Sequence, residues 1–212
     1  FQLHDTYGFP YELTLEAAQE AGLEVDAERF GALMEDQRRR AKEARKELDA
    51  DLRRLEAYRA LSGRHGHTTF LGYDRTSAEG RILGLLRDGE ELDAAGEGDQ
   101  VELILDRTPF YAEGGGQVGD TGLVRTGGGA VLQVTDTRPG LEGFSIHSAR
   151  VVSGEVRVDD EVQAEVDADR REAVTRSHTA THTLHWALRD QLGPHARQQG
   201  SLVDAGRLRF DF

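Results

Sequence analysis

The spacing of apolar residues changes character twice along the chain. Up to about residue 62 it is helical. Thr14 is placed to cap a short helix that Gly22 ends, and Asp26 to cap a longer one. Met34, Ala41, Leu48 and Leu55 then recur every seven residues, with Gln37, Ala44 and Tyr58 beside them. No Gly or Pro interrupts residues 32 to 62, so the pattern predicts a helix roughly 50 Å long. Its apolar seam is thin and broken by Asp51, which favours packing on a neighbouring helix over a long coiled coil.

From residue 63 to about 166 the runs become short and β-like: "TTFLGY", "RILGLL", "QVELILD", "GLVRT", "AVLQVTD", "FSIHSARV" and "EVQAEVD". Turns such as Asp88-Gly89 and Gly127-Gly128-Gly129 separate them, and this rhythm predicts a small barrel or sandwich. The helical period returns at Asp167, a candidate cap with Asp169 in the first turn and Gly193-Pro194 as the stop. Val174, Leu184, Leu188 and Leu192 gather on one side of that helix. "GSLVD" and "RLRFDF" then predict a hairpin across Ala205-Gly206. Leu208, Phe210 and Phe212 share one of its faces, and Arg207, Arg209 and Asp211 the other. The expected fold is therefore α+β and multidomain. A helical segment spans 1–62, a small β-barrel 63–166, and the helix–hairpin start of an α+β domain 167–212. We expect further sequence at both ends, and an apolar strand face left open could pair with another copy; the oligomeric state stays open.

Composition narrows the function classes. The chain has 212 residues, 37% hydrophobic and 31% charged, which is globular and polar. It has no cysteine, which excludes disulfides and fits a cytoplasmic setting. No apolar run is long enough to span a bilayer, and no membrane partner is expected. A net charge of −13 argues against nonspecific coating of nucleic acid. A local patch is still present in "RRRAKEARK", Arg38 to Lys46. It reads either as a solvated helix face with i,i+4 pairs or, through Arg38, Arg39 and Arg40, as contact with a phosphate backbone.

Two stretches carry candidate chemistry. "RSHTATHTLHWAL" places His178, His182 and His185 within eight residues of a chain with eight histidines in all. His178 and His182, four apart, lie one above the other on a helix and can offer two ring nitrogens to one divalent metal. A zinc site needs three or four ligands, so the others would come from His185, carboxylates or the distant His4, His65, His67, His147 and His195. Surface histidines with ordinary hydrogen bonds remain the alternative. The second stretch is "TPFYAEGGGQVGDTG", Thr108 to Gly122. Its three glycines allow close backbone approach, either as a phosphate cradle or as a turn between strands. It is not a P-loop, because the Gly-Lys-Ser/Thr ending is absent.

In this order the motifs resemble the alanyl-tRNA synthetase family and its free-standing relatives that hydrolyse mischarged tRNA. "DTYGFP.ELT", Asp5 to Thr14, is similar to the stretch closing that family's tRNA-recognition region. "TPFYAEGGGQVGDTG" is similar to its barrel signature, "RSHTATHTLH" to the first helix of its editing domain, and "QQGSLV" with "RLRFDF" to the strands that follow. The resemblance covers nearly the whole chain and is weakest from Tyr58 to Asp99. It implies a parent that charges tRNA(Ala) with alanine using ATP and Mg, on residues upstream of Phe1. It also implies a zinc editing site that hydrolyses serine or glycine mischarged on that tRNA, because a small pocket rejects near-isosteres poorly. His178 and His182 match its first two zinc ligands, and the remaining ligands are expected beyond Phe212; His185 matches a non-ligand. Gln198 matches a residue lining the editing pocket, Thr179 lies near it, and Gly114, Gly115, Gly116 and Gln117 match a loop where the tRNA acceptor end approaches. Thr181, on the apolar side, is expected to be structural. The fragment alone is expected to be inactive. The alternatives are a non-catalytic scaffold that positions the tRNA acceptor and a small metallohydrolase using all three histidines.

Overall fold

A computed structural model describes residues 1–212, the side chains of Glu47 and Glu142 excepted. The chain forms two compact units, Phe1–Leu52 and Arg53–Phe212. Among the described residues no helix is long and apolar enough to cross a membrane.

The first unit holds α1 (Gln2–Asp5), α2 (Tyr11–Glu20) and most of α3 (Ala27–His65). Asp26 caps α3 as expected, its carboxylate accepting from the Arg29 N–H at 2.8 Å. Thr14 does not cap α2. That helix starts a turn earlier, with Pro10 at its N-cap, and the Thr14 hydroxyl donates back to the Pro10 carbonyl at 3.3 Å. The α3 helix continues through Gly31 and Gly63. Phe30 organises the unit, stacked on Tyr11 with ring centroids 4.0 Å apart and edged by His4 at 5.6 Å. Gln37 donates to Asp5 at 2.7 Å. The expected helix-on-helix seam does not form along the middle of α3: Leu48 is 60% and Leu52 50% exposed.

In the second unit the seam finds a sheet instead. Six antiparallel strands, β1 (Ser77–Arg87), β2 (Gln100–Leu105), β3 (Gly122–Thr126), β4 (Val131–Pro139), β5 (Ser145–Ser153) and β6 (Glu161–Val166), close a barrel in the order β1-β2-β5-β4-β3-β6, with β6 pairing back to β1. Alternation fills the interior: Val101, Leu103 and Leu105 of β2 join Val124, Leu132, Val134 and Phe110 in one buried cluster. β1 is buried on both faces. A register shift between Ile82 and Gly84 lets Ile82 and Leu85 point in while Leu83 and Leu86 point out. The outward residues meet Tyr58 and Leu61 from the end of α3, along with Ile104, Phe144 and Ile146. Gly84 allows that approach, since a methyl there would come within 2.9 Å of Leu61. The "TTFLGY" run forms only a two-residue strand, Thr69–Phe70, parallel to Arg107–Thr108. A pairing of Ala94–Gly96 with Glu155–Arg157 was not foreseen.

After β6, α4 (Ala168–Leu192) begins at Asp167, whose carboxylate accepts from the Arg170 N–H at 3.0 Å, and it stops at Gly193. The hairpin β7 (Gly200–Asp204) and β8 (Arg207–Asp211) follows. Leu208 and Phe210 are half-buried and Arg207, Arg209 and Asp211 exposed, as expected, but Phe212, expected on the apolar face, follows the strand and is exposed. The apolar side of α4 is only partly covered: Val174 and Thr181 are buried, while Leu184 and Leu192 are exposed.

Candidate functional site

The glycine run is a tight turn. Gly114 N–H donates to the Gln117 carbonyl at 3.1 Å, and Gln117 N–H donates back to Gly114 at 3.0 Å. Gly115 and Gly116 between them sit at φ +60° and +82°, both left-handed, as a type I′ turn demands. The turn faces the hairpin. Gly116 C=O accepts from the Val203 N–H at 2.7 Å, and Val118 N–H donates to the Val203 carbonyl at 3.1 Å. A methyl on Gly116 would lie 2.5 Å from the Ser201 carbonyl oxygen, so the approach needs glycine for space as well as for φ.

A second set of bonds fixes α4 against the barrel. Asp120, in the same motif, is buried and accepts from Tyr111 N–H at 2.7 Å. The Arg171 guanidinium makes a close ion pair with Asp120 and donates to the carbonyls of Pro109 at 2.6 Å and Gly72 at 3.0 Å. Arg170 donates to the Gly119 carbonyl at 2.8 Å. Sequence reasoning missed this pair. Two arginines in the first turn of a helix oppose the preference for anions there, which was the available sign of fixed partners.

These contacts bring the candidate residues into one place. His178 Nε2 lies 3.0 Å from His182 Nε2, and His178 Nδ1 lies 2.7 Å from the Gln117 amide oxygen. Gln198 donates to Ser201 Oγ at 3.0 Å, and Ser201 Oγ lies 3.5 Å from the Gly115 carbonyl. So Gln117 and Gln198 flank the glycine turn, with the histidine pair reached through Gln117. Thr179 is exposed, its hydroxyl turned back to the Thr175 carbonyl at 3.1 Å. Thr181 bonds to Ser177 in the same way and is buried. His185 departs from the pair and lies against Phe210, centroids 5.1 Å apart. Arg38, Arg39 and Arg40 are exposed on α3. Arg39 pairs with Asp36 and with Glu43 at 4.0 Å, and Arg40 with Asp36 at 2.7 Å.

The profile of the family described as tRNA synthetases class II (A) matches residues 1–170. This chain belongs to the class II (A) tRNA synthetases. The synthetase resemblance extends over the whole chain. It is 53% identical over 212 residues to an alanine–tRNA ligase of Saccharopolyspora erythraea, 50% over 215 residues to that of Streptomyces avermitilis and 52% over 215 residues to that of Thermobifida fusca. Each comparison covers 100% of this chain and 24% of the relative, so the chain spans about a quarter of the length of the relatives it matches.

Two imidazole nitrogens 3.0 Å apart stand a few tenths of an ångström inside the roughly 3.3 Å that two bonds of about 2.0–2.1 Å span at a tetrahedral zinc, so a small opening of the pair would admit the ion. Gln117 stands where an outer partner of a ligating histidine belongs. The geometry therefore fits half of a zinc site. Among the described residues no group of three or more His, Cys, Asp or Glu converges.

Proposed function

We propose that this chain is the part of an alanine–tRNA ligase that links the tRNA-recognition region to a hydrolytic editing site for serine or glycine mischarged on tRNA(Ala). His178 and His182 would hold zinc, with the remaining ligands supplied beyond Phe212. The observation that carries this reading is the facing pair of Nε2 atoms, 3.0 Å apart, beside the glycine turn. The 50–53% identity to alanine–tRNA ligases supports it from the other side. When bound, zinc would orient the aminoacyl ester and polarise its surroundings. The chain's own residues place the histidines and present Gln198 with Ser201 across the glycine turn. Charging of tRNA(Ala) with alanine, using ATP and Mg2+, is proposed for the complete enzyme, in the cytoplasm.

Zn2+ titration of the 212-residue chain against a chromophoric chelator tests the site. His178→Ala and His182→Ala should each abolish measurable binding, and His185→Ala should leave it unchanged. Equal losses for all three would replace this reading with a three-histidine site. The chain alone should neither exchange pyrophosphate with ATP nor deacylate Ser-tRNA(Ala), and an extension carrying the further ligands should deacylate. Rapid deacylation by the 212 residues themselves would overturn the half-site.

A further inference from the structure

We propose that Gln117, on the barrel, is a positioning residue for His178: its amide oxygen holds the imidazole with the proton on Nδ1 and the lone pair on Nε2, toward His182. The inference deepens the zinc reading above and rests on it for its purpose, but its content is a proton position that can be read without metal.

The argument begins with the main chain. Gln117 is pinned on both sides, by the paired hydrogen bonds to Gly114 and by its bridge to Val203 in the hairpin. The side chain thus leaves a fixed point and has a short reach. Its amide oxygen sits 2.7 Å from His178 Nδ1. An amide oxygen only accepts, so Nδ1 must donate, and a neutral imidazole then carries its lone pair on Nε2. That nitrogen faces His182 Nε2 at 3.0 Å; in the metal-free chain His182 donates across this contact, and it would give up that proton to bind zinc through Nε2. Free imidazole side chains favour the Nε2–H form, the wrong one for a ligand at Nε2. Gln117 reverses that preference on a half-buried ring. The metal half-site is thereby a joint product of α4 and the barrel's glycine turn, not of the i,i+4 helical spacing alone.

The test is a pair of near-isosteric variants. Gln117→Glu keeps an acceptor oxygen, and Gln117→Met removes it. Neither touches the main-chain bonds, and slow exchange of the Val203 amide confirms the turn is intact. Long-range 1H–15N spectra are recorded on the metal-free 212-residue chain across a pH series, and the tautomer is read on the high-pH plateau where the ring shifts no longer change. His178 should show the Nδ1–H pattern in the parent chain and in Gln117→Glu, and the Nε2–H pattern in Gln117→Met. An Nε2–H pattern in the parent chain, or no change in Gln117→Met, overturns the proposal. Zn2+ affinity supplies the second readout: Gln117→Met should weaken it about 10- to 100-fold, as removal of an outer partner does elsewhere, and Gln117→Glu should not. Equal affinity in the parent chain and Gln117→Met also overturns it. If the parent chain binds no Zn2+, the metal reading fails while the spectra still decide the role of Gln117.

Discussion

The unit Phe1–Leu52 and the unit that starts at Arg53 use similar residues to opposite effect. In the first, no described residue is buried, and its order comes from ring stacking on Phe30, a capped helix and ion pairs in water. In the second, Ile82, Leu85, Leu103 and Leu105 have no exposure at all, and polar groups are taken inside with them. The arginines sharpen the contrast. Arg40 pairs with Asp36 at 63% and 36% side-chain exposure, whereas Arg171 pairs with Asp120 at 17% and 3%. The same two chemical groups are a surface ornament of a helix in one place and the latch between α4 and the barrel in the other. Burial decides which, because water screens the first pair and leaves the second to its fixed partners.

The latch therefore carries the largest expected effect. Asp120→Ala leaves the Arg171 guanidinium facing two carbonyls without its carboxylate, and also removes the acceptor for Tyr111 N–H. Breaking a buried pair from one side costs about 3–5 kcal/mol, and urea unfolding should record a loss of that size. The double variant Asp120→Ala with Arg171→Ala should cost well below the sum of the single changes. Additive losses would mean that the two residues act independently.

Burial inside the barrel gives the next effect, through His147. Its Nδ1–H donates to the Leu103 carbonyl at 2.9 Å, and the Thr108 hydroxyl meets Nε2 at 2.8 Å while accepting from Phe110 N–H at 3.1 Å. Burial pushes the His147 pKa from 6.5 down to about 4. As pH falls through 6.5 the unfolded chain takes up a proton that the folded chain refuses until about 4. Stability is fully present above 6.5 and declines toward 4, by about 3 kcal/mol for this group. The difference in unfolding free energy between the parent chain and His147→Gln should shrink by that amount between pH 7 and pH 4. A constant difference would show that the ring is not held neutral.

A smaller and more local effect is expected at the glycine turn. Gly116→Ala places a methyl at φ +82° against the Ser201 backbone. The combined strain should cost about 1–3 kcal/mol. It should appear first as faster hydrogen exchange at the Val203 amide, with the barrel amides unaffected. Uniformly faster exchange throughout the barrel would mean that hairpin and barrel open as one.

These regions also differ in how far they could be read beforehand. The barrel strands were legible where one face is wet, as in "EVQAEVD", where exposed Glu161, Gln163 and Glu165 alternate with buried Val162, Ala164 and Val166. "RILGLL" was legible as a strand but not as one covered on both sides, since the α3 residues that cover it arrive from about twenty positions earlier. The Ala94–Gly96 pairing is too short to leave a pattern. At the site, His178 and His182 follow from helical spacing, and the glycines announce a close approach. The contact from Gln117 to His178 joins residues 61 apart, and the Arg171–Asp120 pair joins residues 51 apart. Both exist only once the barrel has closed, so no local period could contain them. Thr14 was misplaced because Pro10, with its fixed φ, begins the helix one turn sooner.

The smallest effect completes the contrast with the latch. Arg40→Ala removes one arm of the Asp36 cluster on α3, where Arg39 stays in place as a second partner for that carboxylate. Exposed i,i+4 pairs contribute about 0.3–0.5 kcal/mol, and alanine has the better intrinsic helix propensity, so the two terms nearly cancel. The expected change in unfolding free energy is within about 0.5 kcal/mol, and what remains should fade as salt is raised. A loss above about 1.5 kcal/mol that persists at high salt would mean that Arg40 is held as Arg171 is, by partners that water does not screen. The division between a solvent-ordered first unit and a burial-ordered second would then fail at that position.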